Sequence, residues 1–291
     1  MDKKVVVVTD SNSGITQSEA NELGISVVPM PFYIDGTLYY EDIDLTQEQF
    51  YQKLTEGGDI KTSMPITGNL MDLWDSLLKE YDEIVYIPMS SGLSSSCSTA
   101  AMLAEDYDGR VVVVDNQRIS VTMKLSALEA KKLADMGQSA QQIHDALMSN
   151  KFDSRIYITV DTLEYLKKGG RLTPAVAAIG SLLKIKPVLS IYGEKLDKYA
   201  MARTMKQAKQ IMIDAIKKDM DEVLHVSDID EVTISIAHTD NLEAAEKFAS
   251  ELEEEFNTKV DWIDPLSLSV SCHIGPGALA CTVTKKLIPL D

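Results

Sequence analysis

Short apolar runs alternate with stretches of helical periodicity in the first half of the chain. The runs stand at residues 5–8, 83–87 and 111–114, and each is short enough for one buried strand. The helical patterns fall at residues 16–23, 46–54, 69–79, 94–104, 119–136 and 139–148. Buried strands that alternate with helices are typical of a parallel α/β sheet.

The pattern changes near residues 151–154, where polar residues end the last of these helices. A strand is predicted at residues 156–160, and Gly193 lies in the turn of a predicted hairpin with strands at 188–191 and 196–200. A helix at 204–218, strands at 232–237 and 260–263, and a helix at 242–256 follow. The sequence therefore predicts an α/β fold of two α/β domains, 1–154 with a parallel sheet and 155–291 with a mixed sheet, each with flanking helices.

Composition narrows the class of protein. The 291 residues are 45% apolar, enough for two cores, and the net charge of −17 repels nucleic-acid phosphates and anionic membranes. We therefore expect no nucleic-acid partner and at most transient membrane contact. The apolar run at 5–8 is too short for a signal peptide and no run reaches 18 residues, which favours a cytoplasmic protein. Three cysteines without CxxC spacing argue against disulfides or zinc, so we expect no metal and no cofactor.

Two clusters of small polar residues follow predicted strands, where α/β sheets place their ligands. The first is Thr9 to Gly14, which fits a ligand site or a turn capped by its own Asp and Ser side chains. The second is Ser90 to Ser96, in which every position except Leu93 is serine or glycine, with Ser91, Gly92 and Ser94 at its centre. A helix that starts near Ser94 would offer free N–H groups to a carboxylate or phosphate, although one serine suffices for an ordinary helix cap.

Other candidate residues are more scattered. Thr62 and Ser63 stand in a predicted loop before a helix, and His273 precedes a Gly-Pro-Gly bend, where a lone histidine is more often structural. Residues 165–210 contain ten Lys or Arg against two acidic residues, a local charge of +8 in a chain whose remainder carries −25. This segment is either a solvated face or a docking surface for an anionic group or an acidic partner, and Arg171 and Arg203 are its best candidates.

Five motifs in this order resemble the DegV family of fatty-acid-binding proteins, and the resemblance spans nearly the whole chain. They are Thr9-Asp10-Ser11, Thr62-Ser63-x-Pro65, Ser90-Ser91-Gly92-Leu93-Ser94, Lys168-Gly169-Gly170-Arg171-Leu172 and His273-x-Gly275-Pro276-Gly277-Ala278. The resemblance implies an acyl chain between or within the two domains. It also implies that hydroxyl groups of the second and third motifs hold the carboxylate, with the histidine nearby.

The residues carried over as ligand contacts are Thr62, Ser63, Ser91, Gly92, Ser94 and His273, and no residue is expected to be catalytic. The chain departs from the family pattern at Ser95-Ser96, where Gly-Thr is common, and at Met64, where glutamine is usual. A saturated chain of about 14 methylenes contributes roughly 11 kcal/mol on burial, before the costs of association. Its carboxylate needs hydrogen bonds, because desolvation without them costs several kcal/mol.

The resemblance further implies a carrier rather than an enzyme. A separate fatty acid kinase is the expected partner, and it phosphorylates the bound fatty acid to an acyl phosphate, with Arg171 and Arg203 as contacts for the partner or the phosphate. The chain itself has no GxxxxGK[ST] and no GxGxxG motif for a nucleotide. Two alternatives stay open: a serine-dependent acyl hydrolase or transferase that uses Ser94, His273 and Asp10, and a regulatory module that binds a small anion.

Overall fold

The computed structural model describes residues 3–179 and 185–290. Its strands are β1 (Val5–Asp10), β2 (Ser26–Val28), β3 (Pro31–Ile34), β4 (Thr37–Tyr40), β5 (Ile60–Thr62), β6 (Glu83–Ile87), β7 (Val111–Val113), β8 (Ser154–Thr159), β9 (Lys186–Ile191), β10 (Asp197–Ala202), β11 (Val232–His238), β12 (Ile263–Pro265) and β13 (Leu279–Lys285). Its helices are α1 (Gln17–Leu23), α2 (Gln47–Thr55), α3 (Thr67–Leu77), α4 (Ser96–Ala104), α5 (Val121–Asp135), α6 (Ala140–Ser149), α7 (Glu164–Gly169), α8 (Pro174–Ala177), α9 (Met205–Glu222), α10 (Leu242–Phe256) and α11 (Leu268–Ile274).

The protein is a two-domain α/β structure, as the pattern of strands and helices predicted. The first domain contains a parallel sheet in the order β2-β1-β6-β7. The second contains a mixed sheet in the order β10-β9-β8-β13-β11-β12, in which only β11 and β12 pair in parallel. Strand β6 is buried along its whole length, because helices cover both faces of the first sheet.

A third, antiparallel sheet of order β4-β3-β5 was not predicted. It occupies residues 31–62, which join β2 to α3, and it places Thr62 at the end of a strand rather than in the predicted loop. Its strands have only three or four residues, too few to show a clear period of two. The edge strand predicted at residues 260–263 was also misplaced, since β12 begins at Ile263.

The two domains share one hydrophobic core. Val7 and Val85 of the first sheet belong to the same buried cluster as Ile156 and Ile158 of β8. Helix α5 also crosses between them: the Lys124 amine contacts Asp264 of β12 at 3.0 Å and Glu19 of α1 at 2.9 Å. Because the core runs across the junction, the boundary at residue 154 stays a prediction.

Candidate functional site

A cavity of about 230 Å³ lies between the parallel sheet and the mixed sheet. Most of its wall is apolar and comes from both domains. The apolar lining residues are Met30, Met64, Met89, Leu93, Ile119, Ile156, Ile158, Leu166, Ile191, Leu196, Ala237, Leu266, Val270, Ile274 and Ala280. Such a wall fits a hydrocarbon chain, which it would shield from water without offering it hydrogen bonds.

One end of the cavity is polar and reaches the surface. Thr62, Ser94, Arg171 and His273 line it, and we name these four the mouth cluster. Met64 and Ser95 line the same end and are exposed, which marks it as the opening. The cluster combines β5, the loop before α4, the turn after α7 and helix α11. Residues that are 211 positions apart therefore meet at the entrance to an apolar chamber.

The ring of His273 is fixed on two sides. Its Nε2 lies 3.0 Å from the hydroxyl oxygen of Thr62. Its Nδ1 faces Gly169 so closely that a Cβ at that position would collide with the ring. Glycine at position 169 is therefore required by the packing of the imidazole against the end of α7.

His273 carries no charge at neutral pH. Burial, and secondly the positive charge of Arg171, lower the pKa of His273 to about 4. A neutral ring whose Nε2 carries the proton donates to the Thr62 oxygen, and the Thr62 O–H is then free to donate to a ligand. Arg171 is half-buried, and its guanidinium donates to the carbonyl groups of Leu93 and Gly169. The mouth cluster thus offers one positive charge to an anion, and with this tautomer of His273 it also offers the Thr62 hydroxyl hydrogen.

The residues of the serine-rich loop, 90–96, divide into those that line the cavity and those that contact other parts of the protein. The Ser94 oxygen accepts a hydrogen bond from the Ser96 amide at 3.2 Å, so its own O–H is free to donate into the cavity that Ser94 lines. Helix α4 begins at Ser96, two residues later than predicted. Ser63 and Ser95 also line the cavity.

Ser91 and Gly92 do not line the cavity. The exposed Ser91 hydroxyl donates to Asp115 at 2.6 Å. A Cβ at Gly92 would stand 2.6 Å from Cα of Glu194, in the tip of the β9–β10 hairpin, and the neighbouring Ser90 hydroxyl donates to the Gly193 carbonyl. Ser90 and Gly92 thus meet the second domain and Ser91 meets Asp115 of the first, so the structure brings neither Ser91 nor Gly92 to the cavity.

The first polar cluster belongs to a buried network that sequence reasoning did not recognise. We name as the buried cluster Asp10, Ser11, Asn12, Glu41, Ser267 and Ser269, each at most 6% exposed. The Asn12 amide donates to Asp10 at 2.7 Å and its oxygen accepts from Ser267 and Ser269, near the start of α11. The predicted turn is present, since Asp10 caps a 3₁₀ turn at Ser11–Ser13. Ser267 and Ser269 stand 255 and 257 positions from Asn12, and no local signal in the sequence indicates such partners.

Two carboxyl groups of the buried cluster have strongly raised pKa values. Burial raises the pKa of Asp10 to about 6, against the lowering effect of its bonds to Met89 and Asn12. Burial raises the pKa of Glu41 to about 8, although the Ser11 hydroxyl and the Leu268 amide donate to it. Glu41 is therefore a neutral acid at pH 7.

The basic segment does not form one continuous site. Lys186 pairs with Asp161, and Lys209 pairs with Glu251. Arg171 lines the cavity, whereas Arg203 is exposed just before α9, outside the lining. Lys184 lies outside the described residues.

The arrangement required for a serine hydrolase is not assembled. Asp10 uses its hydrogen bonds on Asn12 and on the amide of Met89. Within residues 3–179 and 185–290, no hydrogen bond joins His273 to Ser94 or to Asp10, and the His273 ring instead meets Thr62. A nucleophile, a base and an orienting acid in contact are therefore absent from the described part of this site.

Membrane-spanning helices and metal sites are both absent from the described residues. No helix among them has the length and apolar character needed to cross a bilayer. In the same part of the chain, no group of three or more His, Cys, Asp or Glu side chains is placed to hold a metal ion.

The fold and the cavity define a two-domain α/β protein with an internal apolar binding site that opens through a polar mouth. The family model described as "Uncharacterised protein, DegV family" matches residues 4–286, and the chain belongs to the DegV family. A DegV domain-containing protein of Clostridium perfringens is 31% identical over 286 residues, which cover 96% of each chain. One from Staphylococcus aureus is 29% identical, over 97% of this chain and 99% of its own.

Solved structures of the family match the whole architecture. A fatty-acid-binding DegV family protein from Thermus thermophilus superposes with a TM-score of 0.88 at 27% identity, covering 97% of this chain and 99% of its own. Bacillus subtilis DegV, described as a fatty acid binding protein, gives 0.84 at 29% identity and covers 98% and 100%. A stearic-acid-binding protein from Eubacterium ventriosum gives 0.85 at 25% identity and covers 97% and 98%.

Proposed function

We propose that this protein binds one long-chain fatty acid in the cavity, with its carboxylate at the mouth cluster. The observation that carries the proposal is a largely apolar cavity wall whose positively charged residue, Arg171, stands with hydroxyl groups at the opening. The Ser94 hydroxyl hydrogen is free beside the positive charge of Arg171, and the Thr62 hydroxyl hydrogen is free as well when the His273 proton is on Nε2. Related proteins that bind fatty acids support the assignment.

The test is to identify what the protein holds. The purified protein is denatured and extracted with organic solvent, and the released molecules are identified by mass spectrometry. We expect a C14 to C18 fatty acid in stoichiometric amount. A protein that releases no lipid and takes none up from a fatty acid mixture would refute the proposal.

We further propose that the bound carboxylate is presented to a separate kinase. A carboxylate oxygen attacks the γ-phosphorus of the kinase's ATP, the bond from that phosphorus to the bridging oxygen of ADP breaks, and acyl phosphate and ADP form. The opening at the mouth cluster supports this role, because a buried acyl chain leaves its carboxylate at the surface end. Arg171 would lie beside the transferred phosphate and Arg203 at the partner surface, since guanidinium groups suit phosphate and carboxylate.

Charge reversal tests the docking role of the two arginines. We expect Arg203→Glu to reduce acyl phosphate production by the kinase at least tenfold while fatty acid binding stays within twofold, because Arg203 lies outside the cavity lining. Lys218→Glu, an exposed change on the nearby helix α9, is the matched control. Arg171→Glu is expected to impair both steps. Unchanged acyl phosphate production in Arg203→Glu would remove that residue from the docking surface.

Steady hydrolysis of activated esters by the purified protein would contradict the carrier role. The expected result is no turnover in either the wild type or Ser94→Ala.

The exposed apolar side chains beside the opening, Met64 at 38% and Ile66 at 42% exposure, fit a brief contact with a membrane during lipid exchange.

A further inference from the structure

Ser120 is a polar residue in the cavity that the proposed carboxylate site does not use. It caps the start of α5, lines the cavity and is only 6% exposed. Among the described residues its hydroxyl has no hydrogen-bond partner, and the cap makes no side-chain bond to the helix. The hydroxyl oxygen keeps some accessible surface within the cavity, so it is available to a ligand.

The surroundings of Ser120 are suited to an oxygen atom. The amides of Val121 and Thr122, at the start of the 15-residue helix α5, have no acceptor within the helix, and the positive end of its dipole lies there. The backbone amide of Ser120 donates to the Asn12 carbonyl at 2.8 Å. The Asn12 side chain, in contrast, is fully occupied by Asp10, Met89, Ser267 and Ser269. Ser120 is therefore the free hydroxyl in this part of the wall.

Ser120 is bonded to a different part of the cavity wall from the mouth cluster. Ser269 and His273 are four residues apart on α11, which is about 6 Å along a helix. The Ser269 hydroxyl donates to the Asn12 side chain at 2.6 Å, and the Asn12 backbone carbonyl accepts from the Ser120 amide. Ser120 is therefore joined to the buried cluster at the amino end of α11, whereas His273 of the mouth cluster is near its carboxyl end. An acyl chain whose carboxylate is at the mouth would reach Ser120 with carbons further along the chain.

We propose that Ser120 forms a second polar subsite that recognises a hydroxyl group in the middle of the acyl chain. The ligand class is then a long-chain hydroxy fatty acid, and the inference rests on the proposed fatty-acid-binding function. A ligand hydroxyl pairs with the Ser120 hydroxyl near the positive end of the α5 dipole, which satisfies both the ligand group and the serine. A plain saturated chain leaves Ser120 unpaired.

Binding of defined fatty acids tests the subsite. Delipidated protein is titrated with stearate, oleate, 2-hydroxystearate, 10-hydroxystearate and 12-hydroxystearate. We expect 10- or 12-hydroxystearate to bind at least as tightly as stearate. In Ser120→Ala that acid should bind about tenfold more weakly, as expected for one lost hydrogen bond, while stearate, oleate and 2-hydroxystearate change less than twofold.

Two further variants control the test. Ser120 has a φ of +57°, so Ser120→Gly removes the hydroxyl and relaxes the backbone, and it should fold at least as well as the wild type. Thr282→Val removes another hydroxyl of the lining, one that already donates to the Ser235 carbonyl at 3.4 Å, and should not change the preference.

Several outcomes would overturn the inference. One is a wild type that binds stearate but rejects both mid-chain hydroxy acids by tenfold or more. Another is an equal loss of stearate and hydroxystearate in Ser120→Ala, which would place the carboxylate itself at Ser120. Failure to bind any of the five acids would instead refute the proposed function, and the subsite with it.

Discussion

The two ends of helix α11 carry polar clusters that differ in how completely their hydrogen bonds are used. At the carboxyl end, the mouth cluster keeps the Ser94 hydroxyl hydrogen free beside Arg171, and also that of Thr62 when the His273 proton is on Nε2. At the amino end, the buried cluster joins Asn12 and Glu41 to Ser267, Ser269 and the Leu268 amide. One short helix thus serves an open polar site and a closed one.

The difference separates two tasks that polar groups perform in this protein. Groups with spare donors bind a ligand at little cost to the free protein, because they still face the opening. Groups that satisfy one another link segments distant in sequence, since Asn12 is in the first domain and Ser269 is in the second. The comparison predicts that substitutions in the buried cluster change stability, whereas substitutions in the mouth cluster change binding.

Glu41→Gln should have the largest effect and should depend on pH. Burial raises the pKa of Glu41 from 4.5 to about 8, so between these values the folded protein holds a proton that the unfolded chain has released. The contribution of Glu41 to the free energy of unfolding is therefore greatest below pH 4.5 and falls as the pH rises to 8. The loss is about 1.4 kcal/mol per pH unit, or about 4 kcal/mol from pH 5 to pH 8, and the glutamine of the variant does not titrate.

Urea unfolding of both proteins at pH 5, 6, 7 and 8 measures this effect. The free energy of unfolding of the variant should rise relative to the wild type across the series. Asp10, whose pKa is raised to about 6, is present in both proteins, so the difference contains only the titration of Glu41 and its coupling to Asp10. Glu48→Gln, an exposed glutamate of α2, is the control, and wild-type and Glu41→Gln curves that stay parallel would contradict the prediction.

Asn12→Leu should have the second largest effect. The change keeps a side chain of similar size but removes the partner of Asp10, Ser267 and Ser269, which are all buried. Loss of such a network should lower the free energy of unfolding by about 3 kcal/mol. Asn69→Leu, at an exposed position on α3, should change it by less than about 0.5 kcal/mol. A stable Asn12→Leu protein would show that the buried cluster does not hold the domains together.

The helices and strands of this fold were not equally predictable from the sequence. The main sheets and the helices α5 and α10 were predicted because each has a clear apolar period, and α10 was predicted at Leu242–Phe256 as observed. Helix α11 was not predicted. It has only seven residues, and Ser, Val and Cys are weak helix formers, so burial against neighbouring elements decides its conformation.

The contacts within the site were also only partly predictable from the sequence. The residue types of the mouth cluster were predicted from motifs, but the contact between Thr62 and His273 depends on β5 and α11, neither of which was predicted. The hydroxyl cluster at Ser90 to Ser96 was interpreted as one anion site, whereas the structure places Ser94 at the cavity, Gly92 at the domain junction and Ser91 against Asp115 of the first domain. Spacing in sequence does not show which face of a loop meets which partner.

Of the variants Glu41→Gln, Asn12→Leu and Thr62→Val, the last should have the smallest effect on free energy. It should act on binding alone. Valine has nearly the shape of threonine, so the packing of β5 is kept, but the variant loses the hydroxyl that meets His273 and is free to donate to a carboxylate. Stearate should bind about tenfold more weakly, which corresponds to about 1.4 kcal/mol, and the free energy of unfolding should change by less than about 1 kcal/mol. Thr37→Val, exposed on β4 of the same small sheet, should alter neither quantity. If Thr62→Val instead destabilised the protein as strongly as Asn12→Leu and left stearate affinity unchanged, the mouth cluster would be structural, and the contrast between the two ends of α11 would not hold.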